Sequence, residues 1–194
     1  IGGGSSGSQI AAELNEAGRE VFFSIGPHDR PFRRYRGRDN CWWLGVLGIW
    51  NMDTPTPGTE HVTIAVSGAH GGKTVDFRRL AERGITLLGM TTGYANGFLE
   101  IADDLKINID AGDENYKSLM KAADDYVIAN GIDLPLEPEA WHEPEDPWCV
   151  TNPIRNLNLA ERGIATIIWA TGFQFDYSWL RAEGVLDGCG KPIH

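Results

Sequence analysis

Gly2-Gly3-Gly4-Ser5-Ser6-Gly7 fits G-x-G-x-x-G, and the residues after it restrict the folds open to the chain. Ile10, Ala11, Leu14 and Ala17 fall on one helical face, and Gly18 supplies a stop. Arg19-Glu20-Val21-Phe22-Phe23-Ser24-Ile25 is β-branched and aromatic, as suits a buried parallel strand. Glycine turn, helix and strand within about thirty residues is the arrangement of a dinucleotide-binding unit. In that unit Gly2 permits the tight turn, Gly4 lets the backbone approach a pyrophosphate, and Gly7 lets helix pack on strand. The helix expected over 8–17, starting at the glycine turn with its Ser5 and Ser6, offers free N–H groups and a positive dipole end to phosphate. The same glycines and serines also fit a flexible terminus; the helix and strand behind them argue for the unit. Only Ile1 remains of the strand that should precede the turn, so the sequence is expected to begin inside a longer protein.

The second strand decides which dinucleotide is expected. An NAD site places Asp or Glu about twenty residues past the turn, on the ribose 2′-hydroxyl. Here the strand ends in Ser24, and His28, Asp29, Arg30, Arg33, Arg34, Arg36 and Arg38 follow. Loss of an anion and gain of guanidinium groups suits a 2′-phosphate, so NADP is expected rather than NAD. Most of these arginines are expected to be surface charge, with one or two on the phosphate.

Charge is unevenly spread along the 194 residues, whose formal net charge is −10. From Glu100 to Asp146 there are 14 acids against 3 lysines, which leaves the rest of the chain almost neutral. Overall acidity argues against a generic nucleic-acid surface but leaves room for a local basic pocket. With 42% hydrophobic and 10% aromatic residues the chain can bury a core, as one domain or one with an insertion. No apolar run is long enough for a membrane-spanning helix. Cys41, Cys149 and Cys189 form no C-x-x-C pair, which argues against a disulfide scaffold, a redox dithiol or a zinc ribbon. A reducing, cytoplasmic setting is expected.

Further along, residues 62–66 and 85–88 read as buried strands flanking a second glycine-rich turn, Ser67-Gly68-Ala69-His70-Gly71-Gly72, and an arginine-rich helix over 75–83. His70 in that turn suits either a cofactor contact or a solvent-facing position. Leu-Ala-Glu-Arg-Gly-Ile occurs at 80–85 and again at 159–164, each time leading into a strand-like run, the second at 166–169. Phe98 to Val127 keeps helical spacing, which predicts one long amphipathic helix, or two broken near Gly112, ended by Gly131. Its acids are expected to form a solvated face, with docking of a basic partner as the sharper alternative. Five prolines between 134 and 153 predict a loop, and Trp42, Trp43 and Trp50 are expected in the core. The fold class expected is α/β, a Rossmann-like three-layer domain whose parallel sheet comprises 21–25, 62–66, 85–88 and 166–169. Its parts are an NADP-binding core over 1–100, an acidic helical and proline-rich insertion over 101–150, and a return strand over 151–194.

Three segments in order, Ile1-Gly2-Gly3-Gly4-Ser5-Ser6-Gly7-Ser8-Gln9, Arg33-Arg34-Tyr35-Arg36-Gly37-Arg38-Asp39 and Ile168-Trp169-Ala170-Thr171-Gly172-Phe173, resemble the pyridine-nucleotide half of flavin-containing monooxygenase-like flavoproteins. The resemblance covers nearly the whole chain. It implies two dinucleotide-binding domains, one for FAD and one for NADPH inserted into it. Gly2, Gly4 and Gly7 would then be the second glycine fingerprint, with Ser6 the serine before its last glycine. Arg33 and Arg34 would be candidates for the 2′-phosphate. Ala170-Thr171-Gly172 would be the turn where the chain returns to the FAD domain, followed by Asp176 and Trp179 in a D-x-x-W-L pattern. The FAD fingerprint and the F-x-G-x-x-x-H signature are absent and are expected upstream of Ile1.

The implied chemistry is the cofactors' own: NADPH reduces flavin, and the reduced flavin uses O₂ to oxygenate a small nucleophilic substrate. No residue matches the catalytic arginine of Baeyer–Villiger relatives, and the paired cysteines of disulfide reductases are missing. Catalytic residues are thus unassigned, no metal is expected, and a homo-oligomer is admissible. A short-chain dehydrogenase is excluded because no tyrosine has lysine four residues on. A non-catalytic NADP-binding or redox-sensing module remains the rival reading.

Overall fold

The computed structural model describes residues 1–53, 63–173 and 176–193, so Val62 of the expected 62–66 strand lies outside it. The first helix, α1 (Ser5–Glu16), starts after Gly4 and buries Gly7, Ser8 and Ala11. Gly18, at φ 74°, turns the chain back so that Arg19 N–H reaches the Leu14 carbonyl. The apolar run behind it gives β1 (Phe22–Ser24).

A hairpin follows, β2 (Arg34–Tyr35) and β3 (Arg38–Asp39), turned by Arg36 at φ 50° and Gly37 at φ 68°. Asp39 caps α2 (Asn40–Val46) by accepting from Cys41 N–H, and Asp76 caps α3 (Phe77–Glu82) by accepting from Arg78 and Arg79 N–H. The strand β4 (Thr86–Leu88) pairs parallel with β1 in the register Phe23↔Leu87.

The result is a mixed α/β architecture with a small parallel pair, which corrects the expectation of a full parallel sheet. Residues 63–66 make only an isolated parallel bridge, Asp29↔Ile64, and 166–169 form no regular strand. Residues 63 and 65 bond Asp29, and residues 168 and 170 bond Ile1. The two Leu-Ala-Glu-Arg-Gly-Ile copies nevertheless close alike. The sixth residue's N–H bonds the first residue's carbonyl in both, with Gly84 and Gly163 at positive φ.

An antiparallel sheet that the hydrophobic pattern did not reveal comprises β5 (Thr91–Ala95), β6 (Phe98–Ile101) and β7 (Asn156–Asn158). Its hairpin turns at Asn96-Gly97, both at positive φ, which is a local signal legible in the residues. The acidic segment is a single helix, α4 (Leu105–Asn130), running unbroken through Gly112 and ending at Gly131 in the left-handed region. A one-turn helix, α5 (Trp148–Thr151), packs back on β4 and α4.

Three apolar clusters hold these parts. Phe23, Ile25, Phe77, Leu80, Ile85 and Leu87 form the first with Leu105 and Ile109 from the start of α4. Phe32, Tyr35 and Trp43 form the second with Met120, Ala123 and Val127 from its other end. Leu88, Leu99, Ile101 and Leu157 form the third. Trp43 is fully buried and Trp42 partly so, whereas Trp50 is 62% exposed. Gly48 at φ 74° turns the chain before Trp50, whose indole lies over Gly45 and donates to the Cys41 carbonyl at 3.1 Å.

The acids of α4 are not simply a solvated face, because the arginine-rich loop supplies their partners. Asp113 is buried between Arg30, at 2.6 Å, and Arg78, both equally hidden. Asp124 accepts from Arg36 Nε at 2.6 Å and from the Tyr35 hydroxyl at 2.9 Å. Arg78 also reaches Asp146 at 2.7 Å, tying in the proline-rich segment.

His28 sits against the same helix. Its Nδ1 is 2.9 Å from the Gly26 carbonyl, its ring meets Phe77 edge-on, and its Nε2 has no hydrogen-bond partner among the described residues. Burial lowers its pKa below the usual histidine value, and the neighbouring Arg30 adds to this. The folded state therefore binds fewer protons than the unfolded chain, and stability should fall as pH drops below about 6.5. Thermal melting across that range should show the loss, and His28→Asn should flatten it. An unchanged slope would remove His28 as its source.

Candidate functional site

The glycine turn stands where extended segments converge. Ile1 nitrogen donates to the Ile168 carbonyl at 2.9 Å, and the Ile1 carbonyl accepts from Ala170 N–H at 2.8 Å. Gly2 N–H donates to the Ser24 carbonyl at 2.9 Å on the other side. Residues 1–2 thus run between 168–170 and the end of β1.

Close approach explains two of the glycines. Gly2, at φ 115°, lies so near Ala170 that a Cβ would run into its carbonyl, and a Cβ on Gly7 would overlap the Gly2 carbonyl oxygen. At Gly4 a Cβ would make only ordinary contacts, 3.4 Å from Thr63 Cγ2 and 3.7 Å from the Ile64 oxygen. Gly4 is the extended residue from which α1 springs.

The first-turn amides of Ser5, Ser6 and Gly7 have no hydrogen-bond acceptor among the described residues. They stand at the positive end of the helix dipole, the local condition for holding an anion. Ser5 Oγ donates to the Ile64 carbonyl at 2.8 Å and accepts from Val66 N–H at 3.3 Å, which ties residues 63–66 to the helix start. Ser6 is exposed beside it.

The remaining expected residues are placed differently from one another. Ser24 is buried, and its hydroxyl is engaged by Gly89 O at 2.9 Å and Thr91 at 2.8 Å, so it joins β1 to β5. Ala170 lies against Gly2, while Thr171 and Gly172 are exposed just beyond it. Arg33 is ion-paired with Asp39. Arg34 is exposed on β2 and forms no ion pair with a described residue. Arg30 and Arg36 are committed to α4, and Arg38 stacks over Trp42 at 5.3 Å. The side chain of His70 lies outside the described residues.

The structure therefore brings Gly2, Gly7, Ala170 and the α1 amides together, and sets Arg33 and Arg34 on a separate hairpin. Segment 63–74 links the two: it touches Ser5 at one end, and Thr74 Oγ1 accepts from Arg33 N–H at 2.9 Å at the other. Sequence reasoning read 62–66 as a buried strand and missed this bridging role. Two cavities flank α1. One of about 520 Å³ lies between α1, residues 19–23 and residues 162–170, and is largely apolar. The other, of about 460 Å³, lies between α1 and α3. Among the described residues no cluster of His, Cys, Asp and Glu is placed to hold a metal ion, and no helix is long and apolar enough to cross a membrane.

A glycine turn opening into a helix with unpaired first-turn amides, beside parallel strands, is a geometry that dinucleotide-dependent oxidoreductases use. Comparison with known proteins bears on the oxidoreductase class alone: the chain is distantly homologous over its full length to CzcO-like oxidoreductases. It is 24% identical over 196 aligned residues to an uncharacterized CzcO-like oxidoreductase of Geobacillus kaustophilus, covering all of this chain and 39% of that protein. It is 25% identical over 195 residues to the uncharacterized oxidoreductase CzcO of Bacillus velezensis, covering all of this chain and 40% of that one. The chain thus spans about 40% of the length of the curated relatives it matches. No protein-family model and no solved structure matches it.

Proposed function

We propose that this chain is the NADPH-binding part of an FAD-dependent oxidoreductase that oxygenates a small nucleophilic substrate with O₂. The observation that carries the reading is the cradle made by Gly2, Gly7 and Ala170 around the unpaired amides of Ser5, Ser6 and Gly7. Full-length homology to oxidoreductases adds weight to it.

The cradle fits a pyrophosphate, because the glycines bring backbone donors forward and no carboxylate stands among residues 2–8 to repel it. Residues 2–8 would bind and orient the dinucleotide. Arg34, and Arg33 where it can exchange Asp39 for the ligand, would hold the 2′-phosphate. Ala170, Thr171 and Gly172, which follow the backbone packed on Gly2, would help hold the same cofactor. When bound, NADPH supplies hydride and FAD supplies the oxygen chemistry.

The apolar cavity between α1 and 162–170, with Ile167, Ile168 and Trp169 exposed near it, supports packing against further parts of a longer polypeptide. The flavin-binding half would lie there. The test is to purify the protein at the length of its relatives and add NADPH without oxygen. A yellow protein bleached by NADPH, and more slowly by NADH, is expected. A colourless protein that still binds NADP⁺ would favour the non-catalytic module, and one that binds neither would refute the reading.

A further inference from the structure

His28 lies between the arginine-rich loop and α4, and the candidate site makes no use of it. It is 7% exposed. A carbonyl only accepts, so Nδ1, 2.9 Å from the Gly26 oxygen, carries the ring proton of the neutral form. Nε2 is then an acceptor, buried and without a hydrogen-bond partner among the described residues. It faces the backbone of α4 at Gly112, where a Cβ would stand only 2.6 Å away, so the ring fills the space a side chain would need.

A proton on Nε2 would turn that acceptor into a donor with nothing to receive it. The groups facing the ring do not fill the gap. From α4, Asp113 already divides its oxygens between Arg30 and Arg78, the second of these on α3. From α3 the Phe77 ring meets the imidazole edge-on, 4.6 Å between centroids. From the loop itself, Arg30 repels an added charge and Asp29 attracts one, while burial is the largest influence and holds the ring neutral.

The loop that carries His28 is joined to the glycine turn by a short series of hydrogen bonds. Asp29 N–H donates to the Thr63 carbonyl and Ala65 N–H donates to the Asp29 carbonyl, both at 2.8 Å. Ile64, between them, accepts from Ser5 Oγ at 2.8 Å, and the same oxygen accepts from Val66 N–H at 3.3 Å. Ser5 opens α1. The seat of His28 and the first turn of α1 are thus linked through residue 29 and residues 63–66.

We propose that His28 is a proton-operated latch: protonation drives the imidazole off Gly112, releases 28–30 from 63–65 and, through Ser5, disassembles the anion-binding turn. The last step rests on the function proposed above; the first two do not. An imidazole expelled into solvent titrates at the ordinary histidine value of about 6.5, so the open population should grow roughly tenfold from pH 7.5 to pH 5.5. By linkage, an anion held at the turn should close the latch again.

The test is amide hydrogen exchange at pH 7.5 and 5.5, corrected for its intrinsic pH dependence, on wild type, His28→Asn and Gly112→Ala. In wild type, protection at 28–30 and at 63–66 should fall about tenfold at the lower pH. NADP⁺ at ten times its dissociation constant, set by calorimetry at the same pH, should restore protection about tenfold at both segments. His28→Asn should show no such fall, and Gly112→Ala, whose Cβ takes the place of the ring, should be poorly protected at both segments already at pH 7.5. A fall of equal size in His28→Asn, or wild-type protection in Gly112→Ala, would overturn the latch. Loss at 28–30 that spares 63–66 would break the link to the turn, as would bound NADP⁺ that leaves 28–30 unchanged. If the pH pattern holds but NADP⁺ does not bind at either pH, the latch stands, and its coupling to the turn falls together with the dinucleotide reading.

Discussion

Asp113→Asn is expected to lower unfolding stability by about 3–5 kcal/mol, the cost of leaving a buried charge uncompensated. Asp113 divides its two oxygens between two guanidinium groups, Arg30 at Oδ1 and Arg78 at Oδ2, and all three side chains are only 6% exposed. An amide of the same shape can accept from one arginine, but its N–H group then faces the donors of the other. Arg78 would keep Asp146 and Asp110, but Arg30 would stay buried with no anionic partner among the described residues. The Lys121–Asp125 pair on the same helix is 71% and 61% exposed, so Asp125→Asn should change stability by less than about 0.5 kcal/mol. Urea unfolding of the two variants makes the comparison. Similar small losses in both would show that α4 is held by its apolar contacts alone.

That network also explains why the charge pattern was only half legible. The arginine run at 30–38 and the acidic run at 100–146 stand out in the sequence, and each has a familiar separate meaning, a phosphate site and a solvated helix. Neither run carries any mark of its partner, because the pairs Arg30–Asp113 and Arg36–Asp124 are separated by more than eighty residues and appear only when α4 is laid on the hairpin. Gly112 is similar: inside a helical pattern it reads as a break, yet it leaves room for His28, whose Nε2 would lie 2.6 Å from a Cβ there.

Local features were read more fully. The glycine turn, a helix behind it, the β1 and β4 strands and the Gly131 stop each depend on residues close in sequence, and each is found, although α1 starts at Ser5 where the pattern put its start at residue 8. The Asn96-Gly97 hairpin was equally local, but its second strand, Phe98–Ile101, was taken into the helical periodicity that starts at Phe98, which masked it. Within the candidate site, the glycines were legible from their spacing, whereas the burial of Ser24 by Gly89 and Thr91 and the bridge at Thr74 belong to tertiary contact.

Gly7→Ala should have the largest effect on binding. Gly7 lies in the first turn of α1, and its missing side chain is what allows the helix to rest on Gly2. A methyl group there meets the Gly2 carbonyl oxygen and comes 3.3 Å from Phe23 Cε2, so backbone must move rather than a flexible side chain. Overpacking of this kind costs roughly 1–3 kcal/mol in stability. The cost to the site is greater, because the displaced helix start carries the amides of Ser5 and Ser6 away from the turn. NADP⁺ affinity should fall by roughly a hundredfold, about 2.7 kcal/mol, while the domain remains folded.

The central claim is that residues 2–8 cradle the pyrophosphate of NADP, and amide hydrogen exchange with and without NADP⁺ tests it most directly. In wild type the nucleotide should slow exchange at 4–8, at 63–67 behind Ser5, and at 33–34 and 72–74. In Gly7→Ala the same concentration should leave those segments unprotected. Protection that spares 4–8 in wild type, or that persists unchanged in Gly7→Ala, would place the nucleotide elsewhere and contradict the account.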